Sequence, residues 1–186
     1  SSLLSGAAYG TASGTMEAGA VVGEDGHFLM AINIAFFEDV ARFKARVDEE
    51  RLPRGADPAT HIKLGRGGLT DIEWTIQLLQ MQHSAEVPGL RTTRTLEALA
   101  AAVDAELVAR EDAEALKDAW RLASRLRNRI MLVRGRASDS LPRDAREKAA
   151  VAHLCGYGPG ESDGLVNDYL RVTRRARAVV DRVFWG

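Results

Sequence analysis

Leu69, Ile72, Ile76 and Leu79 recur at three- and four-residue spacing, and Trp74, Leu78 and Met81 form a second apolar row beside them. This pattern predicts a helix from Leu69 to about His83, apolar on two sides and therefore buried between other helices. Pro88-Gly89 stops it. The same period recurs along the chain. Phe36, Phe37, Val40, Phe43 and Val47 predict a helix over 34–52, ended by Pro53, Gly55 and Pro58. Leu96, Leu99, Val103 and Leu107 predict a shorter helix from about Thr93. Leu116, Ala119, Trp120, Ala123, Leu126, Ile130 and Val133 stripe the longest one, from Asp112 to Val133, with Gly135 as its stop. Pro142 opens a helix to Leu154, and Leu165, Tyr169, Val172, Ala176, Val179 and Val183 carry a last one from Ser162 to Phe184. The expected fold class is all-α: a helical bundle of about five to six helices with an N-terminal flexible or short β lead-in.

That lead-in covers residues 1–31, rich in Gly, Ala and Ser and without periodicity. It reads as flexible or as a piece of a preceding domain, and residues 21–30 have the pattern of a hairpin about Glu24-Asp25-Gly26. Residues 32–186 form the expected helical domain.

Composition narrows the class. With 46% apolar and 27% charged residues, the chain reads as an ordinary soluble globular protein. A single cysteine, Cys155, excludes an internal disulfide framework and fits a reducing cytoplasm. No run reaches the ~18 apolar residues of a membrane span, and the first basic residue is Arg42, so neither a membrane nor a secretory destination is expected. The net charge of −1 hides an asymmetry. Residues 1–120 carry 11 basic against 19 acidic side chains, and residues 121–186 carry 14 against 7. Either the halves complement one another, or the basic half faces a nucleotide, a phosphate or an acidic partner.

Candidate chemistry concentrates before the two-sided helix. Lys63-Leu64-Gly65-Arg66-Gly67-Gly68 runs straight into it, and a helix start with Lys63 and Arg66 beside it attracts anions. The spacing matches no known phosphate cradle, so a plain tight turn is the competing reading. Thr70 and Glu73 have the spacing of a capping box, with Asp71 between them. Arg127 and Asn128 lie on the long helix, where an asparagine normally has a specific partner or points to water. Arg121, Arg125 and Arg129, and then Arg171, Arg174, Arg175 and Arg182, fall away from the apolar stripes. The four histidines have no zinc spacing. Asp-x-Asp is absent; Asp71-x-Glu73, Asp104-x-Glu106 and Asp112-x-Glu114 lie in or beside predicted helices, where residues two apart point roughly 200° apart and cannot share an ion. No metal site and no complete catalytic centre is expected.

The stretch Lys63-Leu64-Gly65-Arg66-Gly67-Gly68-Leu69-Thr70-Asp71-Ile72-Glu73-Trp74 resembles the loop-helix signature of glutamine synthetase adenylyltransferases. The likeness extends through residues 50–58, Leu90-Arg91-Thr92-Thr93, residues 119–128, Asp139-Ser140-Leu141-Pro142 and residues 168–180, and so covers about 42–186. These are large two-part enzymes in which each nucleotidyltransferase domain is followed by a helical domain. The resemblance implies the C-terminal helical domain of an actinobacterial form, with residues 182–186 as the natural end and residues 1–31 as a remnant of the preceding domain. It implies a parent that uses ATP and Mg²⁺ to attach AMP to a tyrosine of glutamine synthetase, removes it by phosphorolysis and answers to a PII-type signalling protein. The catalytic carboxylates lie on that upstream nucleotidyltransferase domain. Lys63, Arg66, Gly67 and Gly68 are the nucleotide- or phosphate-binding candidates, with Thr70, Asp71, Glu73, Arg127 and Asn128 as supporting polar residues. From a different class, the arginine faces suit a stand-alone helical module for an acidic protein. Nucleic acid fits less well, because aromatics are not interleaved with the arginines.

Overall fold

The computed structural model describes Arg42, Lys44 and residues 52–185, with the side chain of Trp185 left aside. The expected lead-in, hairpin and 34–52 helix fall outside these residues, except that Arg42 and Lys44 are helical and Leu52 is not. Apart from Arg42, everything described belongs to one unit, residues 43–186.

Among the described residues there are five α-helices and no strand: α1 (Leu69–His83), α2 (Thr95–Asp104), α3 (Arg110–Arg134), α4 (Ala145–Leu154) and α5 (Ser162–Trp185), with a 3₁₀ turn at Pro88–Leu90. The long antiparallel pair α3 and α5 is the frame, and α1, α2 and α4 pack onto it. One apolar cluster joins Ile72, Ile76 and Leu79 of α1 to Leu99, Leu116 and Val180. A second joins Ile62 and Leu69 to Leu126, Ile130, Val151 and Tyr169. Trp120 packs against both. The all-α bundle inferred from periodicity is the fold observed.

Three details differ from the apolar pattern. Met81 is 47% exposed, so the second apolar row of α1 ends at the buried Leu78. Leu107 lies outside α2, which ends at Asp104; the chain turns there through Glu106, at φ +58. Pro142 does not open α4, because the chain before α4 is extended against the loop ahead of α1. The Ile62 N–H donates to the Asp139 carbonyl at 2.5 Å, and the Leu141 N–H to the Thr60 carbonyl at 3.0 Å. Asp144 caps α4 instead, its carboxylate accepting from the N–H groups of Arg146 and Glu147 at 3.0 and 2.9 Å. Asp144→Ala is expected to lower the unfolding free energy by about 1 kcal/mol in a urea titration.

Gly135 ends α3 as expected, at φ +66. The charge asymmetry is partly resolved within the fold: Asp71 and Asp112 of the acidic half pair with Arg177 and Arg182 of the basic half.

Candidate functional site

The loop before α1 is built from its own backbone. Gly68 is the N-cap, and no side chain caps the helix. The orphan N–H groups of Leu69 and Thr70 instead donate to the carbonyls of Ile62 and Lys63, at 3.1 and 2.9 Å. The Thr70–Glu73 capping box is therefore not formed. Thr70 lies inside the helix, too deep to act as the cap, and main-chain carbonyls hold the positions its hydroxyl would serve.

The remaining loop N–H groups are committed as well. Leu64 donates to His61 Nδ1, Gly65 to His61 O, Arg66 to Pro58 O and Gly68 to Gly65 O. Gly67 donates to Asp71 Oδ2 at 2.7 Å. An anion approaching this helix start meets no free backbone donor from residue 64 to residue 70. The glycines serve a close approach: Gly67 has φ +68, and a Cβ there would lie 2.0 Å from the Thr173 carbonyl of α5.

Beneath the loop, Asp71 is the hub of a buried charge network. Its Oδ1 accepts from Lys44 Nζ at 2.7 Å, and its Oδ2 from Arg177 Nη1 at 3.0 Å as well as from Gly67. Lys44 and Asp71 are almost wholly buried, at 1% and 5% side-chain exposure. Burial opposes the Arg177 charge, but Asp71 and Asp181 outweigh it and hold its pKa above the ordinary value. One carboxylate thus ties the helical residue Lys44, the glycine loop, α1 and α5 together.

Glu73 has a different environment. It is half-buried on α1, where the Trp120 indole hydrogen-bonds toward its carboxylate. The Trp120 indole Nε1, buried on α3, is the donor that faces it. Lys63 from the loop and Arg127 from α3 lie within electrostatic reach. Burial nevertheless prevails over these donors and cations and pushes the Glu73 carboxyl above its usual range. Arg127 donates from Nε to Asp139 at 2.6 Å, which leaves its terminal amino groups uncommitted. Lys63 and Arg66 are exposed, and Lys63 interacts electrostatically with Glu73.

Of the residues singled out in the sequence, Lys63 and Arg127 lie within electrostatic reach of Glu73. Arg66 stays on the loop surface and Asn128 faces outward. Gly67, Gly68, Thr70 and Asp71 lie buried below. Lys44, Trp120 and Arg177 are the members that sequence reasoning missed or read only as core and charged face. The Leu90-Arg91-Thr92-Thr93 segment is structural: Gln80 Nε2 donates to the carbonyls of Leu90 and Thr92, and Arg91 to those of Ser84 and Ala85. No group of three or more His, Cys, Asp or Glu among the described residues is placed to hold a metal ion. No described helix is long and apolar enough to cross a membrane.

Residues 41–184 match the family model described as GlnD PII-uridylyltransferase, and the chain belongs to that family. Its curated relatives narrow the type. The chain is 62% identical over 148 residues to the bifunctional glutamine synthetase adenylyltransferase/adenylyl-removing enzyme of Streptomyces avermitilis, covering 80% of this chain. It is 54% identical over 155 residues to the enzyme of the same name from Mycolicibacterium smegmatis, covering 83%. The matched part spans 15% and 16% of those two relatives' lengths. The chain is thus homologous to one segment of these enzymes.

Proposed function

We propose that this chain is the C-terminal helical part of a bifunctional glutamine synthetase adenylyltransferase. The parent adds AMP from ATP to a tyrosine of glutamine synthetase and removes it by phosphorolysis, under control of a PII-type protein, in the cytoplasm. The 62% identity to the Streptomyces avermitilis enzyme carries the reading. The family resemblance assigns the carboxylates that hold Mg²⁺ to the neighbouring nucleotidyltransferase domain. ATP is bound between that domain and the α1–α3 edge.

The task of this part is to present cations rigidly to the nucleotide. Because the loop N–H groups are committed internally, the phosphate role falls to the side chains of Lys63 and Arg66 and not to the backbone of Gly67 and Gly68. Both cations are exposed, so they are available and contribute little to the fold. Lys63→Ala with Arg66→Ala is expected to leave the unfolding midpoint of this chain unchanged. In the longer enzyme, the same pair of changes is expected to weaken ATP use about tenfold or more, the value of a charge-assisted contact to phosphate. An unaltered ATP dependence of adenylylation would remove the phosphate role.

A further inference from the structure

We propose that the cavity between α2 and α3 is a binding site for a free α-amino acid whose side chain is apolar and about the size of leucine's. The site goes beyond the nucleotide reading above and shares no residue with the glycine loop or the Asp71 network.

The cavity follows from the residues that the two helices turn toward each other. Leu96, Leu99, Ala100, Val103 and Asp104 recur at three- and four-residue spacing and so share one face of α2. Arg110, Ala113, Glu114 and Lys117 share one face of α3 in the same way. Between these faces lies a space of about 140 Å³. Ala100 and Ala113 offer single methyl groups where larger side chains would close the gap. Leu99 and Ala113 belong to the core, at 2% and 6% exposure, and Leu96 and Val103 pack against it, so the floor is apolar. A space of about 150 Å³ with such a lining admits a molecule of benzene's size. A branched aliphatic side chain therefore fits.

The rim carries charges of both signs, Asp104 and Glu114 against Arg110 and Lys117. Glu114 and Lys117 are bonded to each other at 2.5 Å. Asp104 and Arg110 form no hydrogen bond or ion pair among the described residues, and Arg110 acts electrostatically on Glu114. Asp104 ends α2 and Arg110 starts α3, so each lies at the helix end whose partial charge has its own sign. An opposite charge from outside relieves both.

These charges select the class of molecule. A fatty carboxylate suits Arg110 but is repelled by Asp104 and Glu114. An apolar amine suits Asp104 but is repelled by Arg110 and Lys117. A side chain inserted from another polypeptide fills the floor but brings neutral amides to the rim, which desolvates the charges without matching them. An amino acid carries its ammonium, carboxylate and side chain on one carbon. It meets the floor and both open charges at once.

Isothermal titration of the 186-residue chain with L-leucine, beside three probes, tests the proposal. Isocaproate lacks the ammonium, isoamylamine lacks the carboxylate, and L-asparagine keeps both charges and leucine's shape with a polar side chain. Leucine is expected to bind saturably in the millimolar range and to raise the unfolding midpoint. Each probe is expected to bind about tenfold more weakly or worse, through one lost charge-assisted contact or one buried unpaired amide. Asp104→Asn and Arg110→Gln should each weaken leucine binding about tenfold while leaving the ligand-free midpoint nearly unchanged. Ala100→Trp fills the cavity from its exposed side and should abolish binding. If that variant does not fold, the two charge variants decide. No saturable binding of leucine, equal binding of isocaproate, or leucine binding that survives the charge substitutions overturns the proposal and leaves the parent function standing.

Discussion

Asp71→Asn is expected to lower the unfolding free energy by about 3–5 kcal/mol, the range for breaking a buried ion pair from one side. Asparagine keeps the size of the side chain and an oxygen for the Gly67 N–H, so the loss is one of charge. Lys44, at 1% exposure, then loses its ion pair with Asp71, and Arg177 loses its inner partner. Chemical denaturation monitored by circular dichroism measures the effect. The comparison is Asp181→Asn, which removes the outer and half-exposed partner of Arg177. That change should stay within about 0.5 kcal/mol, because exposed pairs are screened by water. Equal effects at the two positions would show that Asp71 is not the hub.

Gly67→Ala should be more damaging still, leaving no cooperatively folded protein. Two costs add. A non-glycine residue at φ +68 costs about 1–2 kcal/mol. The new methyl also falls 2.0 Å from the Thr173 carbonyl, and relief requires α5 to withdraw from the loop. That withdrawal opens the Arg177–Asp71 bond and the apolar contacts of α1 with Val179 and Val180. A domain stable by only about 5–15 kcal/mol cannot absorb a separated helix pair. Gly135→Ala is the control, since it has φ +66 but open space around the Cβ position. It should cost only the backbone term of about 1–2 kcal/mol. Limited proteolysis and far-ultraviolet circular dichroism separate the two outcomes.

The helices were legible because burial writes a period into the sequence. The apolar spacings of α1, α3 and α5 are long enough to average out single exceptions such as Met81. The start of α1 was misread for a definite reason. Thr70-x-x-Glu73 has the side-chain signature of a cap, whereas the actual cap is made by carbonyls of residues 62 and 63, which no residue type announces. Pro142 misled in the same way, since the extended pairing of residues 139–141 with 60–62 is a long-range bond that overrides local propensity. Within the candidate site, Lys63, Glu73 and Arg127 were legible as residues worth naming. That Lys63 and Arg127 act electrostatically on Glu73 was not, because a helix sequence does not state which neighbour it packs against. The role of Asp71 was the least readable, since its partners lie 27 and 106 positions away.

That last separation bears on how the protein is made. Ribosomes add about 5–20 residues per second, so Arg177 follows Asp71 out of the exit tunnel by roughly 5 to 20 seconds. Throughout that interval the first helix has no α5 to cover the apolar side that Val179 and Val180 later occupy. A nascent chain halted before Arg177 therefore presents a sticky helix for seconds, long enough for a holdase or a protease to intercept it. Synthesis rate over this stretch, and not equilibrium stability alone, then sets the yield of native protein.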